Sequence, residues 1–262
     1  MMPIKTTIVG TGNVGFHLAS QLGKSKDIQL THIVSREKSR AETLINQLGL
    51  ADSDPLQVNE LPSIISDLII LSVPDQKLPE VIEGIDFPAD TVVVHTSGSQ
   101  PMEILTSHTS IGVLYPFQTF TKSQQVNFSE IPIFIESNSS ESLELIQKVA
   151  SVLSQNVKVV SSKDRQKVHL AAVYACNFTN HLYRIAEEIL ADADLDLKDL
   201  EHLMRETVSK AVSISAAKAQ TGPAIRGDEN IIQKHLTLLH NQPEKSEVYK
   251  LLSNQIASLK EK

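Results

Sequence analysis

Cysteine is almost absent from this 262-residue chain: Cys176 is the single one, so no internal disulfide can form, which suits a reducing cytosol. Positive charge is in short supply as well. With 24 Lys and Arg against 31 Asp and Glu, the formal charge of -7 argues against a nucleic-acid partner, although a local basic pocket stays possible. No run of about 18 apolar residues exists, so no membrane-spanning helix is expected. Met1 leads into the first strand within a few residues, leaving no space for a signal peptide, and the cytoplasm is the expected location. Repeats, low-complexity tracts and metal-ligand spacings are missing too. What remains, 41% apolar and 21% charged, is the composition of a soluble globular protein with room for one large domain or two ordinary ones.

The chain is organised around its first residues. Ile4 to Val9 is a short β-branched run, Gly10-Thr11-Gly12-Asn13-Val14-Gly15 follows at once, and Phe16 to Leu22 has apolar residues at helical spacing. Strand, glycine turn and helix together lift a G-x-G-x-x-G match above chance. Gly10 permits the tight turn, Gly12 lets a pyrophosphate approach the backbone, and Gly15 lets helix and strand pack closely. The helix start then faces the phosphates with free N–H groups and a positive dipole end.

The second strand, Ile28 to Val34, ends in Ser35-Arg36. About 20 residues beyond the glycine turn, NAD-selective folds place a carboxylate for the ribose hydroxyls. A carboxylate would repel a 2′-phosphate, whereas Arg36 can pair with it through two hydrogen bonds. One charge-assisted bond is worth about 1.5–3 kcal/mol, so NADP is the expected cofactor. Lys38 adds charge nearby, and a solvated loop arginine is the plainer reading of Arg36.

An amphipathic helix over Lys38 to Leu48 stops at Gly49, and the buried strand Asp67 to Val73, carrying Ser72, ends at Pro74-Asp75. A short helix from Leu78 to Glu83 and the strand Thr91 to His95 lead into Thr96-Ser97-Gly98-Ser99. Both strand ends fall where open α/β sheets bind ligands. Taken singly, His95 reads as a structural histidine and Ser97 as a helix cap. Strands follow at Ile111 to Leu114, Ile131 to Ile135 and Asn156 to Val160, with a helix over Ser140 to Leu153. Between them Tyr115-Pro116-Phe117-Gln118-Thr119-Phe120 concentrates aromatics: the phenylalanines are expected to pack, while Gln118 and Thr119 have the chemistry to face a substrate. Alternating strands and helices over about 160 residues imply a mostly parallel, doubly wound sheet.

Strand signals stop near Asp164. Residues 164–190 read as one long helix, with Val168, Ala171, Ala175, Phe178, Leu182, Ile185 and Ile189 forming an apolar seam, either a core face or a coiled coil. Another side gathers His169, Cys176, Asn177, Asn180 and Arg184. An imidazole at His169 is suited to proton transfer, and a solvated or structurally bonded ring is the alternative. Further helix is expected over Leu197 to Ala219, ended by Thr221-Gly222-Pro223, then a loop at Arg226-Gly227-Asp228, then helices over Asn230 to His240 and Ser246 to Leu259. Arg226 either clamps a substrate carboxylate or pairs with Asp228.

In this order the pieces resemble a family of Rossmann-like NADP oxidoreductases that carry a helical C-terminal domain of unknown function. Those pieces are Gly10 to Gly15, Ser35-Arg36, Ser72-Val73-Pro74-Asp75, His95-Thr96-Ser97-Gly98, Pro116 to Phe120, His169, Asn177-Phe178, Gly222-Pro223 and Arg226-Gly227-Asp228. Architectural relatives are pyrroline-5-carboxylate reductases, deazaflavin-dependent NADP oxidoreductases and β-hydroxyacid dehydrogenases, with a C-terminal half like that of 6-phosphogluconate dehydrogenase. Two departures stand out. The family's histidine before the proline is Tyr115 here, and the lysine that hydroxyacid dehydrogenases place one turn before the helix asparagine is Val173.

The expectation is therefore an NADP-binding domain over residues 1–160 and a helical substrate and dimerisation domain over 161–262. Gly10 to Gly15, Ser35, Arg36 and Ser72 to Pro74 would hold NADP. His169 would donate a proton, assisted by Asn177, while Ser97 holds a polar atom of a small-molecule substrate during reduction of a C=O or C=N bond. A homodimer through the helical half is expected, and a non-catalytic NADP(H)-binding sensor or scaffold is the competing reading.

Overall fold

A computed structural model describes residues 2–63, 65–83 and 87–261. The chain divides into two compact units, Met1–Ala172 and Val173–Lys262. Among the described residues no helix is long and apolar enough to cross a membrane.

The first unit is an eight-stranded sheet: β1 Ile4–Val9, β2 Ile28–Ser35, β3 Asp54–Gln57, β4 Leu68–Leu71, β5 Val92–His95, β6 Ile111–Pro116, β7 Ile133–Ser137 and β8 Val157–Val159. Its order is β3-β2-β1-β4-β5-β6-β7-β8, and every neighbour pair is parallel except β6 with β7. The helices are α1 Asn13–Leu22, α2 Lys38–Leu48, α3 Leu78–Glu83, α4 Ser140–Leu153 and α5 Ser162–Ala172. The mostly parallel, doubly wound sheet expected from the alternation of strands and helices is what forms.

Side-chain alternation along the strands supplies two cores. Ile8, Leu68, Ile70, Val94 and Leu114 join the residues of α1 and α4 on one face, while Val9, Ile69, Leu71, Val93 and Val113 join those of α3 on the other. Gly49 ends α2 in the left-handed region at φ 66°, as a C-terminal glycine should. Strand β3 is not expected from the sequence. It is a short edge strand with Pro55 and a single large apolar residue, Leu56, so neither length nor alternation marks it.

The second unit is helical: α6 Thr179–Ala191, α7 Glu201–Ile214, α8 Ala216–Ala219, α9 Pro223–Arg226, α10 Glu229–Leu238 and α11 Pro243–Ala257. Two expectations need correction. The long helix over 164–190 is interrupted by a π-helical stretch, Val173–Phe178, which breaks the assumed period of 3.6 residues. The helix over 197–219 opens as a 3-10 turn at Leu197–Leu200 and breaks at Ser215, whose φ of 82° no helix tolerates. Arg226 ends α9 rather than lying in a loop, and Asp228 caps α10 by accepting the Ile231 N–H at 3.3 Å. Among the described residues of this unit, only Ala224 and Leu239 are buried.

Candidate active site

Strand order reverses at β1, between β2 and β4, and the carboxyl ends of these three strands frame a cleft of about 250 Å³. Gly10 takes φ 113°, and a side chain on it would run into the backbone of Ser72. One on Gly15 would run into the carbonyl of Gly10. These two glycines serve the fold, bringing helix, turn and strand together. Gly12 is different. Its φ of -72° suits any residue, and a Cβ on it would meet nothing within 4 Å. The open space beside Gly12 faces the start of α1, where first-turn N–H groups have no partner in the helix.

Of the residues expected to hold a cofactor, Gly10, Thr11, Gly12, Ser35, Arg36, Ser72, Val73 and Pro74 line the cleft. Asn13, Val14 and Gly15 do not: Asn13 is exposed, Val14 packs on the core and Gly15 is buried under Gly10. Ser72 works mainly for the turn, its Oγ donating to the carbonyls of Val9 at 3.0 Å and Gly10 at 3.3 Å.

Three cations stand at this cleft, and their situations differ. Arg40 is bound to Glu37 at 2.9 Å and Lys77 to Glu80 at 2.7 Å. Arg36 is exposed and makes no ion pair among the described residues. Lys38 turns away to Glu60 at 4.0 Å. An unpaired guanidinium beside the end of β2 suits a phosphate attached to the ribose of a dinucleotide, and the open face of Gly12 suits its pyrophosphate. The residues present therefore fit NADP.

A second group of polar residues gathers at the end of β5. Arg165, on α5, is 0% exposed, and it organises the loop after His95. Its guanidinium donates to the carbonyl of Ser97 at 3.2 Å and that of Gln100 at 2.6 Å, and pairs with Glu136 of β7 at 2.6 Å. Ser162 and Gln166 of the same helix add bonds to Met102 N–H at 2.9 Å and to the Ser99 carbonyl at 3.0 Å. Ser99 Oγ donates to the Asp75 carboxylate, which ties this loop to the end of β4. Sequence reasoning misses Arg165 and Glu136, because single charged residues near the start of a helix and the end of a strand look like solvated surface until tertiary structure encloses them.

His95 is the structural histidine that its context suggests. The Ser97 N–H donates to its Nδ1 at 3.1 Å, so Nε2 carries the proton and donates to the Pro101 carbonyl at 3.3 Å. Burial, with the Arg165 charge second, pushes its pKa down to about 4. Ser97 is buried, and its Oγ accepts the N–H groups of Ser99 at 3.1 Å and Gln100 at 3.0 Å, leaving its own proton to donate.

His169 is half-buried, and its Nδ1 lies 3.2 Å from the hydroxyl of Tyr115. Burial first, then the Asp75 carboxylate, raise the Tyr115 pKa, with Arg165 opposing. The phenol is therefore protonated at neutral pH. Phe117 and Phe120 pack as expected, against Tyr115 and Phe134 and against His17 and Phe128, whereas Gln118 and Thr119 are exposed. Asn177, in the π-helical stretch of the second unit, is exposed, as are Cys176 and Asn180, and Arg184 pairs with Glu188 at 3.0 Å.

Family models match both halves of the chain: a Rossmann-like domain over residues 2–118, and a domain of unknown function, DUF2520, over 131–256. A solved structure from Bacteroides fragilis, described as a "putative NADP oxidoreductase", is 35% identical over 98% of this chain and 99% of its own, with a TM-score of 0.86. The chain belongs to this Rossmann-like and DUF2520 family. The family fold extends to more distant structures. A 1-pyrroline-5-carboxylate reductase from Streptococcus pyogenes is 14% identical over 98% of this chain and 100% of its own, with a TM-score of 0.62. An imine reductase from Streptomyces aurantiacus is 13% identical over 97% of this chain and 95% of its own, at the same TM-score of 0.62. No curated protein matches this DUF2520 chain.

Proposed function

We propose that this chain is an NADP-dependent oxidoreductase acting on a C=O or C=N group of a small metabolite. The observation that carries the reading is Arg36 at the end of β2, near Glu80 but in no ion pair among the described residues, while Arg40 and Lys77 on the same cleft are each held by a neighbouring glutamate. The name of the Bacteroides fragilis relative and those of the two reductases agree with it.

A bound NADPH would supply the hydride. The chain supplies everything else. Thr11 and Gly12 present backbone to the pyrophosphate, Ser35 and Arg36 take the ribose phosphate, and Val73 and Pro74 wall the cleft. His169 exchanges the proton, and Ser97 offers its hydroxyl to a polar atom of the substrate. The Met1–Ala172 unit thus carries cofactor and proton donor, while the helical unit joins two copies of the chain.

Titration of NADPH and NADH tests the assignment. Arg36→Ala should weaken NADPH by roughly ten- to a hundredfold and leave NADH unchanged. Equal affinity for both dinucleotides, untouched by the substitution, overturns it. His169→Ala should abolish turnover of any substrate found by screening NADPH oxidation against imines, ketoacids and aldehydes; normal rate and pH profile in that variant would remove His169 from the chemistry.

A further inference from the structure

We infer that Tyr115 is a positioning residue acting through His169: its hydroxyl holds Nδ1, which makes Nε2 the nitrogen that exchanges a proton with substrate, and Gly98 is glycine because the pair needs its space. The inference rests on the proposed role of His169 and adds which nitrogen works and what fixes it.

The geometry has three parts. Tyr115 Oη and His169 Nδ1 are 3.2 Å apart, joining the end of β6 to α5. The Tyr115 ring lies against Phe117 and Phe134, with centroids 6.0 and 6.3 Å away, so its hydroxyl is held in place. Gly98 is buried against both partners: a Cβ there would come within 2.6 Å of His169 Nδ1 and 2.7 Å of Tyr115 Oη. Gly98 does not take a positive φ, so the backbone does not demand glycine at this position. Close approach does.

The charged groups facing the phenol are Asp75 from the end of β4 and Arg165 from α5, together with the His169 ring itself. In the inferred arrangement the protonated phenol donates and Nδ1 accepts. The neutral ring then carries its proton on Nε2. A bound dinucleotide would supply the hydride; the chain's part is the proton, for which the Nε2–H bond breaks as an O–H or N–H bond forms on the substrate. The phenol proton passes to Nδ1, and the Tyr115 oxygen, which burial and the Asp75 carboxylate favour in its protonated form, regains a proton from water. A neutral imidazole needs this second proton, since it cannot be left as an anion. Tyr115 thus supplies to His169 what an isolated histidine would lack.

The imidazole nitrogens of His169 in the full-length protein provide a readout independent of turnover. In the native protein, Nδ1 should resonate as an unprotonated, hydrogen-bonded nitrogen and Nε2 as a protonated one. Tyr115→Phe keeps the packed ring and removes only the hydroxyl. It should shift Nδ1 downfield as that bond is lost and lower kcat tenfold or more, with the KM for NADPH within twofold of native. Gly98→Ala should move Nδ1 the same way with both partners intact. A proton found on Nδ1, or an Nδ1 resonance that neither variant moves, overturns the inference. Failure of NADPH to bind, or full turnover in His169→Ala, would sink the functional reading while leaving the nitrogen measurement to stand or fall alone.

Discussion

Leu18, Ile33, Ile70 and Val94 of the first unit are fully enclosed, whereas in the second unit Leu203 is 63% exposed and Val212 is 83% exposed. Both units are built from sequence with clear apolar periodicity, yet only the first turns it into a core. Its sheet offers two faces, and helices cover each. Among its described residues the second unit has no strand, and large apolar residues of α6, α7 and α11 are exposed. Exposed apolar area on this scale marks an interaction surface, and the dimer proposed above would bury it. A self-sufficient unit can be dedicated to a rigid ligand cleft, whereas one with so few buried residues leaves its apolar faces open to a partner.

That contrast can be broken most forcefully at α6. If the proposed dimer forms, replacing Leu182 and Ile189 together with glutamate should convert it into monomers in sedimentation and melt the helical unit first. Substitutions at half-exposed positions of a true monomer would stay within about 0.5 kcal/mol each, so an unchanged sedimentation profile and Tm would show the surface to have no partner. In the first unit the largest loss should follow Arg165→Met. It leaves the Glu136 carboxylate without its buried partner, at about 3–5 kcal/mol by chemical denaturation. A loss below about 1 kcal/mol would mean that the pair is not structural.

Acid should separate the two units next. The His95 imidazole titrates near 4 in the folded chain and near 6.5 when unfolded. Between those values the unfolded chain binds the extra proton, so stability is complete above pH 6.5 and falls as pH drops to about 4, where the loss levels off. The cost is about 3 kcal/mol, confined to the first unit, and His95→Gln should flatten this part of the stability curve. The smallest structural effect is expected at Gly12. A Cβ added there would meet no atom within 4 Å, and its φ is ordinary. Gly12→Ala should therefore change Tm little yet weaken dinucleotide binding, which calorimetry would read directly.

Much of this is legible in the sequence because the signals are local. The glycine turn and the buried runs at β4 and β5 obey short-range rules, and they imply the sheet, the cleft and Arg36 at its edge. Gly49 as a helix stop is of the same kind. What escapes is set by partners distant in sequence. Strand β3 exists only because β2 offers it an edge. Ser72 has the chemistry of a ligand contact, but it spends its hydroxyl proton on the turn that it faces. The π-helical stretch and the break at Ser215 change backbone geometry without changing the apolar pattern that predicts a continuous helix.

By itself, then, the sequence determined a mostly parallel sheet with a glycine-lined cleft and a helical remainder, since strand alternation, helix spacing and turn chemistry are properties of neighbouring residues. Only the tertiary structure decided that Arg165 is buried, that it ties Ser97 and Gln100 to Glu136, and that Tyr115 meets His169 over Gly98. Those contacts join residues tens of positions apart, and an ion pair or a hydrogen bond across such a span has no periodicity to announce it. Its strength comes from exclusion of water, which only the assembled fold provides.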